Sequence, residues 1–152
     1  MGNPILRDDA VGIRLAADIA GRLGPIDGVD VVTECSTGGL DLLPLVEGYD
    51  RLIVFDSIKT NGGIPGTWYR FTAADLRPTI HLTNIHDTNF ATALELGRRV
   101  GLKVPEAEAS HIFAVEVADN ATFDMRMTPV LEQAYPVCAR AIMADVQALL
   151  SA

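Results

Sequence analysis

Two carboxylates and one imidazole are the side chains whose types and spacing could carry chemistry in this sequence. Asp9 lies at the start of a predicted helix, Asp56 closes a nearly continuous apolar run, and His86 precedes a second helix. Oxygen and nitrogen donors suit zinc, nickel or manganese, whereas copper(I) and iron–sulfur clusters favour thiolates. These three residues therefore predict a metal site with open coordination positions.

Each of these residues also has a structural interpretation. Asp8 or Asp9 could cap a helix by accepting hydrogen bonds from its free N–H groups, and Asp56 could cap a turn. A histidine in front of a helix is commonly exposed or a cap as well. Composition alone leaves both interpretations open.

A further candidate is the loop Thr37-Gly38-Gly39, which permits close backbone approach. It could form a tight turn, or it could hold an extended peptide or an anion. The sequence contains no P-loop, no G-x-G-x-x-G after a strand and no G-x-S-x-G nucleophile elbow. Those three classes of site are therefore not indicated.

Composition sets the class of protein. Of the 152 residues, 49% are hydrophobic and 21% are charged, which predicts a single domain over residues 1–152. The net charge of −8 argues against nucleic acid and anionic lipid as partners. Cys35 and Cys138 form no C-x-x-C motif, and we find no signal peptide and no apolar run of about 20 residues. We expect a cytoplasmic protein without a membrane anchor.

Alternating helix and strand patterns would position the candidate residues. Helices are predicted at 8–23, 40–46, 87–100 and 128–150, with Pro44 limiting the second and Pro136 bending or interrupting the last. Strands are predicted at 29–34, 51–56, 67–72 and 111–117. The run at 51–56 has the character of a central strand, and its spacing from 67–72 allows a hairpin. The pattern predicts an α/β fold, a three-layer α/β/α sandwich with a mostly parallel, mixed central sheet.

In such a sheet, ligands bind at the carboxyl ends of the strands, where Asp9, Asp56, His86 and the Thr37 loop could meet. Folds of this kind open with a buried strand, but here the chain runs almost directly from Met1 into the first helix. Either the true start lies upstream, which we favour, or residues 3–6 are the end of a truncated first strand.

Six segments occur in an order that is typical of one family. They are GNPILRDDAVG at 2–12, ECSTGGLDLL at 34–43, LIVFD at 52–56, PGT at 65–67, Ile85-His86 and Thr128-Pro129. Over almost its whole length the chain thereby resembles the nickel-iron hydrogenase maturation endopeptidases. These enzymes trim the C-terminus of the hydrogenase large subunit.

The resemblance implies an aspartic-type endopeptidase with a phosphorylase/hydrolase-like fold, acting as a monomer on the large-subunit precursor. It implies that Asp9 and Asp56 are catalytic, that Asp9, Asp56 and His86 contact the metal, and that Thr37, Gly38 and Gly39 form a substrate loop. It also implies that the metal is nickel, which the precursor supplies. Zinc or cadmium could replace this nickel in vitro.

The chain departs from the family pattern at several positions. Asp9 stands where glutamate is more common, Cys35 and Ser36 replace two glycines, and Asp87 follows His86 in place of the common glutamine. Two other functions stay open. A receiver-like phosphoacceptor domain would space Asp8, Asp9 and Asp56 similarly, but it requires a lysine after its last strand, where this chain has Ala118-Asp119-Asn120. A catalytically inert α/β interaction module is the third interpretation.

Overall fold

The computed structural model describes residues 1–76 and 85–151, with the backbone alone for residues 85–89. The helices of this part are α1 (Val11–Leu23), α2 (Leu43–Val46), α3 (Ile85–Arg99) and α4 (Pro129–Leu150). The strands are β1 (Leu52–Ile58), β2 (Trp68–Thr72) and β3 (Ser110–Glu116). Short 3-10 helices occur at Arg7–Ala10, Gly39–Leu42, Ala73–Asp75 and Ala107–Ala109. No helix in the described ranges combines the length and the apolar character that a membrane crossing requires.

The three strands form a mixed sheet in the order β1-β3-β2, which confirms the predicted α/β class. β3 is therefore the strand with a neighbour on each side, and its residues from Ile112 to Glu116 are all buried. Continuous burial of this kind is typical of a strand covered on both faces. Among the described strands, the central one is β3 and not β1. The central position predicted for residues 51–56 was therefore wrong.

The chain divides into two compact units. Unit 1 comprises Met1–Cys35, Phe55–Trp68 and Ala114–Ala152, and unit 2 comprises Ser36–Val54 and Tyr69–Phe113. Within unit 1, α1 contacts α4. Within unit 2, α3 packs on the 3-10 helix Gly39–Leu42 and on α2.

Apolar spacing explains the long helices. α1 buries Val11, Leu15 and Ile19, which recur every four residues along one face. α4 likewise buries one stripe, and it runs unbroken through Pro136. Of the two predicted effects of Pro136, the interruption was wrong, and the bend stays a prediction. Proline removes one backbone hydrogen bond, but the buried residues on either side, Tyr135 and Cys138, hold the helix in place by packing.

The strand predicted at 29–34 is not formed in the structure. Its residues are exposed, and Val31 and Val32 each retain about half of their exposure, at 52% and 53%. The alternation of apolar residues is not sufficient for a strand, because a strand also needs a hydrogen-bonded neighbour. None of the three described strands pairs with this segment.

Three local predictions also need correction. β1 and β2 form no hairpin, because β3 separates them in the sheet. Pro44 lies in the first turn of α2, which begins at Leu43, and so does not end that helix, since proline fits where an N–H group lacks a partner. His86 falls within the first turn of α3 and not in front of the helix.

Candidate functional site

Asp9 is held on both carboxylate oxygens by groups from different parts of unit 1. It lies in the 3-10 helix Arg7–Ala10, just before α1, and is partly exposed. Its Oδ2 accepts a hydrogen bond of 2.8 Å from the Asn3 amide, and its Oδ1 accepts one of 2.6 Å from the Ser57 hydroxyl. An ionised carboxylate has about four acceptor positions, so Asp9 keeps capacity for a further partner.

Asp56 is a buried carboxylate in β1. Its side chain is 6% exposed, and its Oδ1 accepts a hydrogen bond of 2.9 Å from the Ser57 amide. The apolar run was expected to end at Asp56, but β1 continues to Ile58. Strand backbone on both sides therefore fixes the position of this carboxylate.

Ser57 joins the two predicted catalytic residues. Its hydroxyl group contacts Asp9, its amide contacts Asp56, and it is itself 2% exposed. The structure thus brings Asp9 and Asp56 to one buried serine in unit 1. Our sequence reasoning did not identify this residue, although the polar pair Asp56-Ser57 inside an apolar strand is a detectable signal.

Asp8 has a different role from its neighbour. It is fully buried, and its Oδ1 accepts a hydrogen bond of 2.6 Å from the Thr128 amide. Its Oδ2 accepts bonds from the Thr128 hydroxyl at 2.9 Å and from the amides of Ala118 and Asp119 at 3.1 and 3.0 Å. Asp8 therefore ties the start of the chain to the segment after β3 and to the N-terminus of α4.

Capping had been one interpretation of the aspartate pair. α1 begins after Ala10, and no side chain caps either α1 or the 3-10 helix before it. Instead, the carboxylate oxygens of Asp8 accept hydrogen bonds from residues more than 100 positions away in sequence. A pairing of this length leaves no local signal, which is why helix-start patterns did not predict it.

The segment after β3 is ordered by a second aspartate. Asp119 accepts hydrogen bonds from the amides of Ala121 and Thr122 at 3.1 and 3.0 Å, and Arg7 reaches it at 3.4 Å. The hydrogen bonds from Thr122 and Ala121 hold the pKa of Asp119 well below its ordinary value. The turn that offers its amides to Asp8 is thus itself fixed.

Gly12 permits α1 to approach the strand that carries Asp56. A Cβ at this position would overlap the carbonyl oxygen of Phe55 and lie 2.9 Å from its carbonyl carbon. Only a residue without a side chain allows helix and strand backbones this close. The close approach sets how far Asp9, three residues earlier, lies from β1.

The remaining predicted residues belong to unit 2. Gly38 is extended, and Gly39 has a φ of 62° and begins the 3-10 helix Gly39–Leu42, so the loop at Thr37 leads directly into a turn. The side chain of His86 lies outside the described residues. Its place in the predicted metal-contacting set stays a prediction.

Two carboxylates joined by a serine can supply oxygen ligands for a metal ion and a proton acceptor. Among the described residues, no group of three or more His, Cys, Asp or Glu side chains is arranged to hold a metal ion. The third predicted ligand, His86, is not among the side chains that the structure describes.

A family model and several solved structures resemble this chain. The model, described as a hydrogenase maturation protease, matches residues 13–145. The hydrogenase maturating endopeptidase HybD from Escherichia coli is 22% identical with a TM-score of 0.73, over 96% of this chain and 88% of that chain. An endopeptidase from Escherichia coli, solved in solution, is 23% identical with a TM-score of 0.69, over 95% and 86% of the two chains.

The nickel-iron hydrogenase maturation protease HybD from Thermococcus kodakarensis is 17% identical with a TM-score of 0.68, over 93% of this chain and 91% of that chain. At these identities the structural likenesses show a common fold. No curated protein matches the chain significantly.

Proposed function

The chain belongs to the hydrogenase maturation protease family, and from this membership we propose that it removes the C-terminal extension of a nickel-iron hydrogenase large-subunit precursor. Membership makes the chain a hydrolase of the protease class. The finer assignment is supported by one observation above all. Asp9 and Asp56, which come from different elements, both hydrogen-bond to Ser57.

The proposed reaction uses nickel that the precursor already carries, so the metal is part of the substrate. Asp9, Asp56 and His86 contact that nickel, which places the scissile peptide beside the two carboxylates. One of the carboxylates accepts a proton from water, and the water oxygen attacks the peptide carbonyl carbon. The C–N bond then breaks, and the proton passes to the leaving amine.

The Thr37 loop is proposed to hold the precursor chain. Gly38 has the extended dihedral angles of a strand, with φ −134° and ψ 173°. An extended backbone without a side chain can pair with an extended peptide through main-chain hydrogen bonds. This supports Thr37, Gly38 and Gly39 as a loop for substrate binding.

We further propose that the enzyme acts as a monomer in the cytoplasm, on a protein partner and without nucleic acid. Cys35 and Cys138 form no disulfide in the structure, which is consistent with a reducing compartment. The acidic net charge of −8 supports a protein partner over a nucleic acid.

The test is cleavage of a purified precursor carrying its C-terminal extension, with nickel-loaded and nickel-free samples compared by intact mass. We expect loss of the extension from the nickel-loaded sample alone. Asp56→Asn should lower the cleavage rate at least ~100-fold, because the amide cannot accept a proton from water. Asp27→Asn, which changes an exposed aspartate, should cleave at the unchanged rate.

Other outcomes would favour the other candidate functions. Magnesium-dependent labelling of Asp56 by a small phosphodonor, without cleavage, would indicate a receiver-like domain. Neither cleavage nor labelling would indicate an inert interaction module. Equal cleavage of nickel-free precursor would show that the metal does not select the substrate.

A further inference from the structure

Ser57 hydrogen-bonds to both predicted catalytic carboxylates. It is 2% exposed, so water does not compete strongly with either of these bonds. The bond from its hydroxyl to Asp9 is short, at 2.6 Å, which is typical of an O–H donor on an ionised carboxylate.

Asp9 needs such a partner because its own element does little to orient it. It lies in a single 3-10 turn and is partly exposed. The Asn3 amide holds one oxygen, and the Ser57 hydroxyl holds the other from the side of β1. With both oxygens held, the carboxylate plane is fixed, and the unused lone pairs point in one constant direction.

We propose that Ser57 is a positioning residue for peptide hydrolysis, because it holds the Asp9 carboxylate in a fixed orientation relative to Asp56. This role rests on the proposed function. Its hydroxyl sets the orientation of the Asp9 carboxylate. Its amide, in the rigid backbone of β1, holds Asp56. The two carboxylates then present their free positions to the substrate together, and no reorganisation is needed when the precursor binds.

Ser110 offers a matched control for the loss of a buried serine hydroxyl. It is also a strand residue, is fully buried, and donates a hydrogen bond of 2.9 Å. Its acceptor, however, is the Glu106 backbone carbonyl and not a carboxylate. Ser57→Ala and Ser110→Ala therefore remove the same group from similar surroundings but differ in what that group holds.

The experiment measures steady-state cleavage of nickel-loaded precursor, with kcat and KM determined separately, together with the melting temperature of each variant. We expect Ser57→Ala to lower kcat about 10- to 100-fold, with KM changed less than about two-fold. Ser110→Ala should keep the wild-type kcat. Both variants should lose similar amounts of thermal stability, because each leaves one hydrogen bond unmade.

Rescue by Ser57→Thr completes the test. Threonine keeps the hydroxyl and suits a strand, so kcat should return to within about five-fold of wild type. A wild-type kcat in Ser57→Ala would overturn the proposal, and so would an equal loss of kcat in Ser110→Ala or no recovery in a folded Ser57→Thr. If the unaltered chain fails to cleave the precursor, the proposed function fails and the role of Ser57 fails with it.

Discussion

Asp8 and Asp9 are adjacent in sequence, yet one is a structural residue and the other belongs to the candidate site. In a 3-10 helix, successive side chains point about 120° apart. Asp8 therefore points to Thr128 at the start of α4, while Asp9 points to Ser57 in β1. The acidic pair could be recognised from the sequence. Which member is buried depends on a contact with a residue 120 positions away.

Replacing the buried member should destabilise the protein strongly. In Asp8→Asn, the amide NH2 group would face the N–H and O–H donors that now bind a carboxylate oxygen, leaving buried polar groups without partners. We expect a loss of about 3 kcal/mol in the free energy of unfolding, measured by urea denaturation.

Asp41→Asn is the control for that substitution. Asp41 also lies in the first turn of a 3-10 helix, but it is exposed. Its replacement should change the free energy of unfolding by less than about 0.5 kcal/mol. Equal losses in the two variants would contradict the role assigned to Asp8.

His111 should make stability sensitive to mild acid. Its Nδ1 is buried without a hydrogen-bond partner, and burial lowers its pKa, with Arg70 and Arg51 adding to the effect. As pH falls through the unfolded value of about 6.5, the unfolded chain takes up a proton before the folded chain does. The free energy of unfolding therefore decreases as pH falls, until pH reaches the lower pKa of His111 in the folded protein. Raising the pH restores the lost stability.

The measurement compares wild type with His111→Gln. Between pH 7.5 and pH 5.5 the wild-type protein should lose more stability in urea denaturation than the variant, because glutamine does not titrate. Asp75 contributes only in stronger acid. Hydrogen bonds from Thr72 lower its pKa in the folded protein, so the stability that this carboxylate adds is lost as pH falls below the ordinary pKa of an aspartate. An identical pH dependence in the two proteins would rule out His111 as the source.

At the scale of elements, the sequence predicted best the long helices and the strands rich in apolar, aromatic or β-branched residues. The three described strands all lie within two residues of their predicted bounds, and α3 and α4 do likewise. Residues 29–34 are also rich in valine, but none of the described strands pairs with them, so the strand predicted from the local pattern is not formed. The order β1-β3-β2 could not be read either, because strand pairing is set by contacts between distant segments.

The contact between α1 and β1 can be tested with two glycines of one helix. Gly12→Ala would drive a methyl group into the Phe55 carbonyl, so we expect a loss of about 2 kcal/mol and a displaced Asp9. Gly21→Ala meets no atom within 4 Å and should stabilise α1 by about 0.5–1 kcal/mol. Thermal unfolding measures the stability of both variants. A Gly12→Ala variant as stable as wild type would contradict the close approach of α1 to β1.

At the scale of the whole molecule, the two compact units raise the question of whether they are folding domains. The chain crosses between them at 35/36, 54/55, 68/69 and 113/114. Three of these crossings fall inside strands, one each in β1, β2 and β3. An independent domain boundary normally lies in an exposed linker with few contacts across it. This one cuts every described strand, and the single domain over residues 1–152 stays a prediction.

We therefore expect one cooperative unfolding transition for the full chain. In calorimetry the measured enthalpy should equal the van't Hoff enthalpy and lie near ~100 kcal/mol, as for a two-state domain of this length. Each described strand begins in one unit and ends in the other, so we expect that unfolding of either unit would shorten all three strands. Two resolved transitions, or a stable folded fragment covering residues 36–113 after limited proteolysis, would show instead that the units fold separately.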